Sequence, residues 1–515
     1  MPAPASSSSS SSASIFYEAA KETLVEYFQK TSLNGFGLLY YIRRRKYQRL
    51  FWFMFIVLGV AFAIYVCIST MSSFLAEPTI TTLDPQEHTI WNVPFPSIAV
   101  CSHNKLSRTA MQALARNLSR DSFDLNFYDY WLEKLKLFAG FFNTDSIDFD
   151  EAQNLQDILE RQGGKPFNTA KFLRGLAPQC KDLLLACYWA GEAINCEEEL
   201  KLVGFTRGYC CVFNYQYERT EQNYYYARRA GSDMGLVLLL NSTTKDYFYA
   251  EDSLTGFTIQ IFGKQQNADS STGHMGLVQV DAGDDIDIRL KLVSQITTNA
   301  VRHHPVAKRG CYFPNEDKMG GYGQAGCLMK CKIRSIESLC NCMPFFAFGD
   351  KVEMDNDREP LVQCSLAHTE CLKRYRITWQ TYKPPLEYMN LHMQAELLDA
   401  LSCPECLPLC TFHRYNFYKA KSSLKDNPHS PDNFKYLKSL PKDAQDISLI
   451  KIYYPTEYGT QYQKNVLYNW YQMLSNIGGV IGICMGCSLI SGIEIIYFVF
   501  IRLVENFLKR RQNGN

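Results

Sequence analysis

The sequence predicts a membrane protein in which two transmembrane helices flank a large, disulfide-rich α+β extracellular domain. Residues 50–71 contain no charged side chain, and a helix of that length spans roughly 33 Å, enough to cross a bilayer core. A second apolar segment runs from about Val466 to Ile501 and is interrupted only by Glu494. Sixteen of the 19 cysteines lie between these two segments, which indicates an oxidising compartment.

The charges that flank the two apolar segments predict the topology. Both outer flanks carry basic clusters: Arg43, Arg44, Arg45, Lys46 and Arg49 before the first segment, and Arg502, Lys509, Arg510 and Arg511 after the second. Basic residues favour the cytoplasmic side, so both termini are expected in the cytoplasm of a cell whose plasma membrane the chain crosses twice. No cleavable signal peptide is visible, and the first span is expected to act as a signal anchor.

These features divide the chain into five segments. They are a cytoplasmic N-terminus at 1–46 (with 1–13 serine-rich and disordered), a first transmembrane helix at 47–72, an extracellular domain at 73–464, a second transmembrane helix with a pore at 465–503, and a cytoplasmic tail at 504–515. Asn117 and Asn241 begin sequons that an extracellular domain would expose to glycosylation.

Local patterns predict a mixture of helices and strands. Helices are expected at 15–29, where the spacing is amphipathic, at 123–142 and at 465–474. Strands are expected at 97–101, 235–240, 256–262, 286–298 and 449–454.

Ten cysteines crowd the segment 311–410. Five ascend along the chain and five return: Cys311, Cys327, Cys331, Cys340 and Cys342, then Cys364, Cys371, Cys403, Cys406 and Cys410. This arrangement favours a nested ladder of disulfides between two antiparallel helices. The alternative is metal binding, because Cys340-Asn-Cys342 and Cys403-x-x-Cys406 resemble zinc-type spacing. The pairing does not follow from the sequence alone.

The segment 475–494 is apolar yet rich in glycine. Its glycines are Gly478, Gly479, Gly482, Gly486 and Gly492. Each glycine weakens a helix by about 1 kcal/mol relative to alanine, so a simple anchor gains nothing from them. Small residues suit places where backbones approach closely or where carbonyl groups face an ion. We therefore interpret the segment as a pore; the alternative is a helix-packing face.

Two features within this segment suggest how a pore would act on cations. Gly486, Cys487 and Ser488 would present carbonyl and hydroxyl oxygens to a permeating sodium ion if the helix breaks at Gly486. Glu494 is expected near the cytoplasmic mouth, where its carboxylate would raise the local cation concentration; the alternative is a side chain that snorkels to the interface.

Other function classes find little support. The formal net charge of +1 gives no argument for a nucleic-acid partner. We see no nucleophile–base constellation, so an enzyme is not expected, and neither a cofactor nor a bound metal is expected beyond the permeant sodium ion.

Several motifs together resemble the degenerin/epithelial sodium channel family, which includes the acid-sensing channels, and look most like its insect pickpocket branch. They are Phe95-Pro96-Ser-Ile-Ala-Val-Cys101, Cys210-Cys211-Val-Phe213-Asn214, the cysteine spacing from Cys311 to Cys342, and Leu474-Ser475-Asn476-Ile477-Gly478-Gly479 with Gly486-Cys487-Ser488. The resemblance covers about residues 15–510.

The resemblance implies a trimeric, voltage-independent, sodium-selective channel of the amiloride-sensitive type, gated by an extracellular chemical or mechanical stimulus. The trimer would contain identical or related subunits, each with a palm, β-ball, finger, knuckle and thumb outside the lipid bilayer. By this likeness Gly486, Cys487 and Ser488 form the selectivity filter. Ser475 and Asn476 lie at the gate, where bulky residues hold family channels open, and Gly482 lies at the blocker site. Asn34-Gly35 replaces the His-Gly gating motif of the family.

The family likeness also implies a disulfide pattern. The expected thumb bridges are Cys311–Cys410, Cys327–Cys406, Cys331–Cys403, Cys340–Cys371 and Cys342–Cys364. Cys101–Cys210 and Cys180–Cys187 match two more, and Cys196–Cys211 is the pair that then remains.

Two other classes stay open from the sequence. One is a two-span, ATP-gated type of cation channel, which shares the topology but lacks the filter motif and the thumb spacing. The other is a non-conducting auxiliary or receptor subunit, against which the glycine-rich second span argues.

Overall fold

A computed structural model describes most of the 515 residues. The described residues are 12–42, 46–76, 78–86, 88–119, 125–143, 147–163, 167–215, 224–251, 253–263, 269, 275–313, 316, 322–347, 362–383, 400–424, 435–437 and 446–513. Residues 1–11 of the serine-rich segment and Arg43, Arg44 and Arg45 of the first basic cluster lie outside this set. Helix α1 begins at Ser12, inside the segment predicted to be disordered.

The chain divides into two compact units. The first contains Met1–Ile80, Thr298–Arg309 and Asn465–Asn515; the second contains Thr81–Thr297 and Gly310–Lys464. The first unit is mostly helical where it is described. Its helices are α1 Ser12–Lys30, α2 Phe36–Tyr41, α3 Lys46–Ala76, α10 Val306–Arg309, α14 Trp470–Met485, α15 Leu489–Ile496 and α16 Leu503–Asn513, with a π-helical turn at Tyr497–Arg502 between the last two.

Among the described residues of the first unit, one helix is long and apolar enough to cross a membrane by itself. This helix is α3, with 31 residues. Trp470–Met485 and Leu489–Gln512 meet the same criterion only when taken together, and they are bent by 76° at the break between them. The second apolar segment is much longer than a simple span needs, and a break is one of three ways to accommodate it, besides a tilt or an outer part that stands clear of lipid.

The second unit is built around two β-sheets. The strands of the chain are β1 Thr79–Leu83, β2 His88–Thr89, β3 Ser97–Ser102, β4 Asn104–Ser107, β5 Leu184–Trp189, β6 Glu192–Ile194, β7 Leu200–Phe205, β8 Gly208–Phe213, β9 Leu236–Asn241, β10 Tyr247–Ala250, β11 Gly256–Phe262, β12 Gly276–Asp281, β13 Asp284–Thr297, β14 Phe412–Ser423, β15 Ile447–Tyr453 and β16 Tyr458–Val466. Among them, nine strands form a sheet in the order β1-β16-β13-β15-β9-β5-β6, with β14 on β13 and β2 on β16. Five form a second sheet in the order β12-β11-β3-β8-β7.

The burial of these strands follows their sequences. Strands β9 and β15 lie inside the large sheet and are buried almost throughout, and both are largely apolar, although β15 also buries Ser448 and Lys451. Strand β13 alternates buried and more exposed residues, as its IDIRLKLV pattern predicts. The side chains of the two sheets share one core, which includes Phe95, Phe213 and Ile450.

The Val-Phe-Asn motif at the end of β8 has a local structural reason. Asn214 adopts a φ of 56°, a left-handed conformation that asparagine tolerates better than most residues. Its Nδ2 donates to the carbonyl oxygen of Phe95 at 2.6 Å, and its Oδ1 accepts from the backbone N–H of Tyr225 at 3.0 Å. The motif therefore fastens β8 to the segment that enters β3.

Helices cover the outside of the second unit. They are α4 Arg108–Leu118, α5 Leu125–Lys134, α6 Phe149–Gly163, α7 Thr169–Leu176, α8 Cys180–Leu183, α9 Cys196–Glu199, α11 Gln324–Cys340, α12 Thr369–Arg374 and α13 Arg376–Gln380. The predicted helix at 123–142 is α5 followed by a 3₁₀ helix at Leu135–Phe141. Of the two sequon asparagines, Asn117 is exposed on the last turn of α4, whereas Asn241 is half-buried at the end of β9.

The helix predicted at 465–474 is wrong for its first half. Strand β16 continues to Val466, and α14 begins only at Trp470. The reason is tertiary, because residues 460–464 pair in parallel register with residues 293–297 of β13. Asn469 then caps α14 together with Gln472.

Eight disulfides join the 16 cysteines of the second unit. Six have the pairing that the family likeness implied: Cys101–Cys210, Cys311–Cys410, Cys327–Cys406, Cys331–Cys403, Cys340–Cys371 and Cys342–Cys364. The bonded sulfurs leave no thiolate for the zinc-type alternative. The prediction that the returning cysteines lie on a second, antiparallel helix is wrong for Cys403, Cys406 and Cys410. These three lie in a described segment without helix. Pro404 and Pro408 disfavour a helix there.

The other two expected bridges, Cys180–Cys187 and Cys196–Cys211, are wrong. The structure pairs Cys180 with Cys211 and Cys187 with Cys196. Adjacent residues of a strand face opposite sides, so Cys210 meets Cys101 on one side of β8 and Cys211 faces the core that contains Cys180. The hairpin of β5 and β6 places Cys187 opposite Ile194, close to Cys196.

Peptide mapping of the non-reduced protein will check this correction. We expect one linked peptide pair that contains Cys187 and Cys196 and another that contains Cys180 and Cys211. Reduction must separate both pairs. A peptide that links Cys180 to Cys187 would contradict the structure and restore the original pairing.

Candidate pore site

The glycine-rich stretch contains the sharpest break in the first unit. Helix α14 ends at Met485, and Gly486 follows in the left-handed region with a φ of +67°. The N–H of Gly486 still donates to the carbonyl oxygen of Gly482 at 2.8 Å. Helix α15 starts at Leu489, and the Ser488 hydroxyl caps it by accepting from the backbone N–H of Ser491. The three predicted filter residues therefore form the whole connection between two helices.

Gly486 also lies in close contact with the N-terminal segment. A Cβ atom added to Gly486 would overlap the side-chain amide of Asn34. The backbone N–H of Asn34 donates to the carbonyl oxygen of Met485 at 3.1 Å, which is the last carbonyl of α14. Gly35 has a φ of +88° and turns the chain into α2. The Asn34-Gly35 pair and the filter residues, far apart in sequence, thus meet at one place.

A second contact joins the same N-terminal segment to α15. The carboxylate of Glu494 accepts from both the backbone N–H and the hydroxyl of Ser32, each at 3.0 Å. The Ser32 hydroxyl also lies 2.7 Å from the hydroxyl of Ser491, which is fully buried. Ser491 in turn accepts from the backbone N–H of Ser488 at 3.1 Å. This chain of hydrogen bonds links Glu494 to the predicted filter through Ser32 and Ser491.

The sequence did not indicate the roles of Ser32 and Ser491. Serine is common in turns and on helices, and nothing in its spacing reveals a partner more than 450 residues away. The only available signals were the turn-rich character of 31–37 and the polarity of Ser491 inside an apolar run. The sequence singles out Glu494 because a carboxylate inside a membrane is energetically costly and normally faces a partner or water. In the structure, the partner of this carboxylate is Ser32.

The N-terminal helix α1 packs along the C-terminal helix α16. The sequence predicts that both helices lie in the cytoplasm. Arg502 donates to both carboxylate oxygens of Glu26, at 2.7 and 3.0 Å. About one turn after Arg502, in α16, Nδ2 of Asn506 donates to the buried hydroxyl of Thr23 at 3.0 Å. The hydrogen bond from Arg502 lowers the pKa of Glu26. This pair therefore stabilises the contact at neutral pH and loses that effect as the pH falls through the lowered pKa.

The remaining predicted residues lie away from this cluster. Ser475 and Asn476 are exposed on α14, about 16 Å from Gly486 along the helix axis. Apart from the backbone of α14 itself, no described atom lies within 4 Å of a Cβ added to Gly478 or Gly479, so this face of α14 is open within the described part of a single copy. Gly59 of α3 lies close to α14, with an added Cβ 3.4 Å from the carbonyl oxygen of Cys484.

Comparisons with known proteins decide the family. A family model described as "amiloride-sensitive sodium channel" matches residues 27–498. The chain belongs to the amiloride-sensitive sodium channel family. The break at Gly486, the N-terminal contact and Glu494 all lie inside the matched range, and so does the disulfide-rich domain, which is extracellular in this family.

Named relatives agree with this assignment. The channel chain is similar to Pickpocket protein 11 of Drosophila melanogaster, with 22% identity over 94% of this chain and 77% of the relative. It is 22% identical to Pickpocket protein 28 of the same species, over 94% of this chain and 79% of the relative. It is 21% identical to Acid-sensing ion channel 1A of Danio rerio, over 91% and 86%. The family consists of ion channels rather than enzymes, and membership removes the ATP-gated alternative.

Substitution of Gly486 tests the break. Gly486→Ala places a side chain in a left-handed conformation, which costs about 1–2 kcal/mol, and directs it into Asn34. We expect the thermal unfolding midpoint of the full chain in detergent to fall by about 1–2 °C, because a chain of this length has an unfolding entropy of about 1 kcal/mol/K.

Gly175→Ala is the matched control, because Gly175 is exposed on α7, a Cβ added to it meets no described neighbour within 4 Å, and alanine favours a helix by about 1 kcal/mol. Its midpoint should stay unchanged or rise. Equal midpoints for the two variants would contradict the described geometry.

Proposed function

We propose that this chain is a subunit of a trimeric, voltage-independent, sodium-selective cation channel of the amiloride-sensitive type, opened by an extracellular chemical or mechanical stimulus. The trimer would be homomeric or contain related subunits in the plasma membrane, with both termini of each subunit in the cytoplasm. The observation that carries the proposal is the non-helical Gly486–Ser488 connection between two apolar helices, within a chain that belongs to a channel family.

In this proposal the connection is the selectivity filter. Backbone that leaves the α-helix at membrane depth is tolerated where it lines a cavity, and its oxygen atoms replace water around a hard cation. Ser488 is exposed within one copy, and its hydroxyl is already oriented by the cap of α15. Three copies around an axis would bring three such connections together. The open face of α14 at Gly478 and Gly479 supports close approach of neighbouring copies.

Ser32 and Glu494 suggest how the N-terminus would act on this filter. Hydrogen bonds to a carboxylate are stronger than neutral ones, and Glu494 accepts two of them from one residue. We assign to this contact the role of holding the N-terminal segment beneath the filter. In this role Glu494 positions the backbone, in addition to the cation-concentrating effect expected from its charge.

Ionic current tests the filter assignment. Ser475→Trp, at the position where bulky residues hold family channels open, is expected to give a constitutive sodium current that amiloride reduces. Adding Ser488→Trp should abolish that current or its preference for sodium over potassium, measured by reversal potentials under sodium–potassium exchange.

Leu508→Trp in the same background is the control, since it adds the same kind of bulk to an exposed position of α16. It should leave the reversal potential unchanged. If the Ser475→Trp, Ser488→Trp protein keeps its sodium preference, the filter lies elsewhere. If Ser475→Trp gives surface protein without current, the auxiliary-subunit alternative is favoured.

The Ser32–Glu494 contact makes a separate prediction. In the Ser475→Trp background, Ser32→Ala and Glu494→Gln should each change the sodium-to-potassium permeability ratio. The two together should change it no more than the larger single effect, because both remove one interaction. Ser32→Thr retains the hydroxyl and should restore the ratio. Strictly additive effects would show that the two residues act independently.

A further inference from the structure

A cavity with a volume of about 500 Å³ lies inside the disulfide-rich unit. It forms where the 3₁₀ helix that follows α5, the turn between β7 and β8, and helices α11, α12 and α13 come together. Small-molecule sites in proteins commonly occupy about 300–1,000 Å³ and combine apolar walls with a few polar groups. This cavity has the same size and the same kind of lining, and the proposed conduction pathway does not use it.

The apolar wall is mostly aromatic. Phe142, Phe345 and Trp379 line the cavity, and Phe345 and Trp379 are 4% and 5% exposed. The ring centroids of Phe142 and Phe345 are 6.2 Å apart in an edge-to-face arrangement. Nε1 of Trp379 donates to the hydroxyl of Ser335 at 3.0 Å, which fixes the orientation of the indole. Because aromatic rings in contact gain more than the burial of their area, this wall favours a ligand with rings over a saturated one of the same size.

Disulfides keep this wall in place. Cys340–Cys371 joins the end of α11 to α12, and Cys342–Cys364 joins the segment after α11 to the one before α12. The cavity therefore lies between elements that are covalently connected. A site that is formed before binding loses less conformational entropy when a ligand enters.

Two ion pairs account for four of the five charged side chains among the described lining residues. Lys332 and Asp269 form a buried pair at 3.0 Å, with side chains that are 9% and 3% exposed. Arg207 lies 3.3 Å from the carboxylate of Glu251. Each of these four side chains therefore already has a partner of opposite charge.

The fifth charged side chain, Arg376, is also engaged by the protein. It donates to the side-chain oxygen of Asn143 at 3.4 Å. A charged ligand loses its hydration when it enters an apolar cavity, and it recovers that loss only if a lining charge leaves its present partner. Separation of a buried ion pair is strongly destabilising. A neutral ligand leaves all of these interactions intact.

From this combination we infer that the cavity is a binding site for a small, neutral aromatic molecule. Its rings would lie against Phe142, Phe345 and Trp379, beside charged side chains that keep their present partners. Anions and cations of the same shape are both disfavoured, because neither finds an opposite charge without breaking an existing interaction. The site goes beyond the proposed channel function and does not depend on ion conduction.

Photoaffinity labelling of the full chain in detergent micelles tests the inference. Three probes share one benzophenone body: 4-(hydroxymethyl)benzophenone is neutral, 4-benzoylbenzoate is an anion, and 4-(aminomethyl)benzophenone is a cation at neutral pH. After proteolysis, mass spectrometry measures the label on the peptide that contains Trp379. We expect the neutral probe to label this peptide about tenfold more than either charged probe, because a charge left unpaired in the cavity weakens binding. Partition into micelles lowers the free concentration of the neutral probe most, so it works against the expected order.

Competition separates binding from random insertion of the probe. An excess of 4-biphenylmethanol, which is neutral, aromatic and not photoreactive, should remove most of the label. Its saturated analogue 4-cyclohexylcyclohexanemethanol should remove severalfold less, because it lacks the rings that the aromatic wall favours. Label that 4-biphenylmethanol does not reduce, equal labelling by the three probes, or equal competition by the saturated analogue would overturn the inference.

A pair of substitutions on α11 checks the location. Ile336→Phe adds volume at a wall residue that is 2% exposed, and it should reduce the label severalfold. Leu339→Phe is the matched control, because it places the same ring on the same helix at a side chain that is 43% exposed and does not line the cavity. It should leave the label unchanged. Equal labelling of the two folded variants would show that the probe binds elsewhere.

A second pair keeps the test decisive if Ile336→Phe does not fold. Phe142→Leu removes one ring of the wall from a half-buried position, and it should also reduce the label severalfold. Phe149→Leu is its control, since Phe149 is half-buried but does not line the cavity. Gel-filtration elution and the full set of disulfides serve as the criteria of folding. Equal labelling of folded Phe142→Leu and Phe149→Leu proteins would contradict the aromatic contact.

Discussion

The left-handed conformation of Gly486 is the constraint on which the arrangement of the first unit depends. A β-carbon at this position would strain the backbone and overlap Asn34, so only glycine lets α14 stop there and α15 begin three residues later at an angle. The same geometry exposes the carbonyl group of Met485 to the backbone N–H of Asn34. A single residue thus both breaks the helix and admits the N-terminal segment to the break.

The N-terminal segment is held from both sides of Gly486. Asn34 contacts the end of α14, and Ser32 contacts Glu494 and Ser491 on α15. Helix α1, which precedes this segment, is fastened to α16 by the bidentate Glu26–Arg502 pair and the buried Thr23–Asn506 hydrogen bond. Residues at opposite ends of the sequence therefore form one continuous structure around the candidate filter. In the proposed channel, this structure would give the N-terminus a physical means to influence ion passage.

The second unit depends on covalent constraint in addition to its core. Five bridges lie between residues 311 and 410, and three of them end at Cys403, Cys406 and Cys410, in a described stretch that contains Pro404 and Pro408 and no helix. Cross-links of this kind restrict the unfolded chain and contribute a few kcal/mol each by the loop-closure account, about 2–4 kcal/mol in typical cases.

The sequence alone determined the features that depend on local composition. Hydropathy located α3, alternation located β13, and glycine content located the break near Gly486, because each is encoded in consecutive residues. Family likeness supplied six of the eight disulfide pairs. The family likeness gave the wrong partners for Cys180, Cys187, Cys196 and Cys211. Adjacent residues of β8 face opposite sides of the strand, and which sulfur atoms meet depends on how the sheets pack. The contacts of Ser32 with Glu494, and the pairing of β16 with β13 in place of a helix, were decided by tertiary structure alone. They join residues distant in sequence, and no local pattern records such a partner.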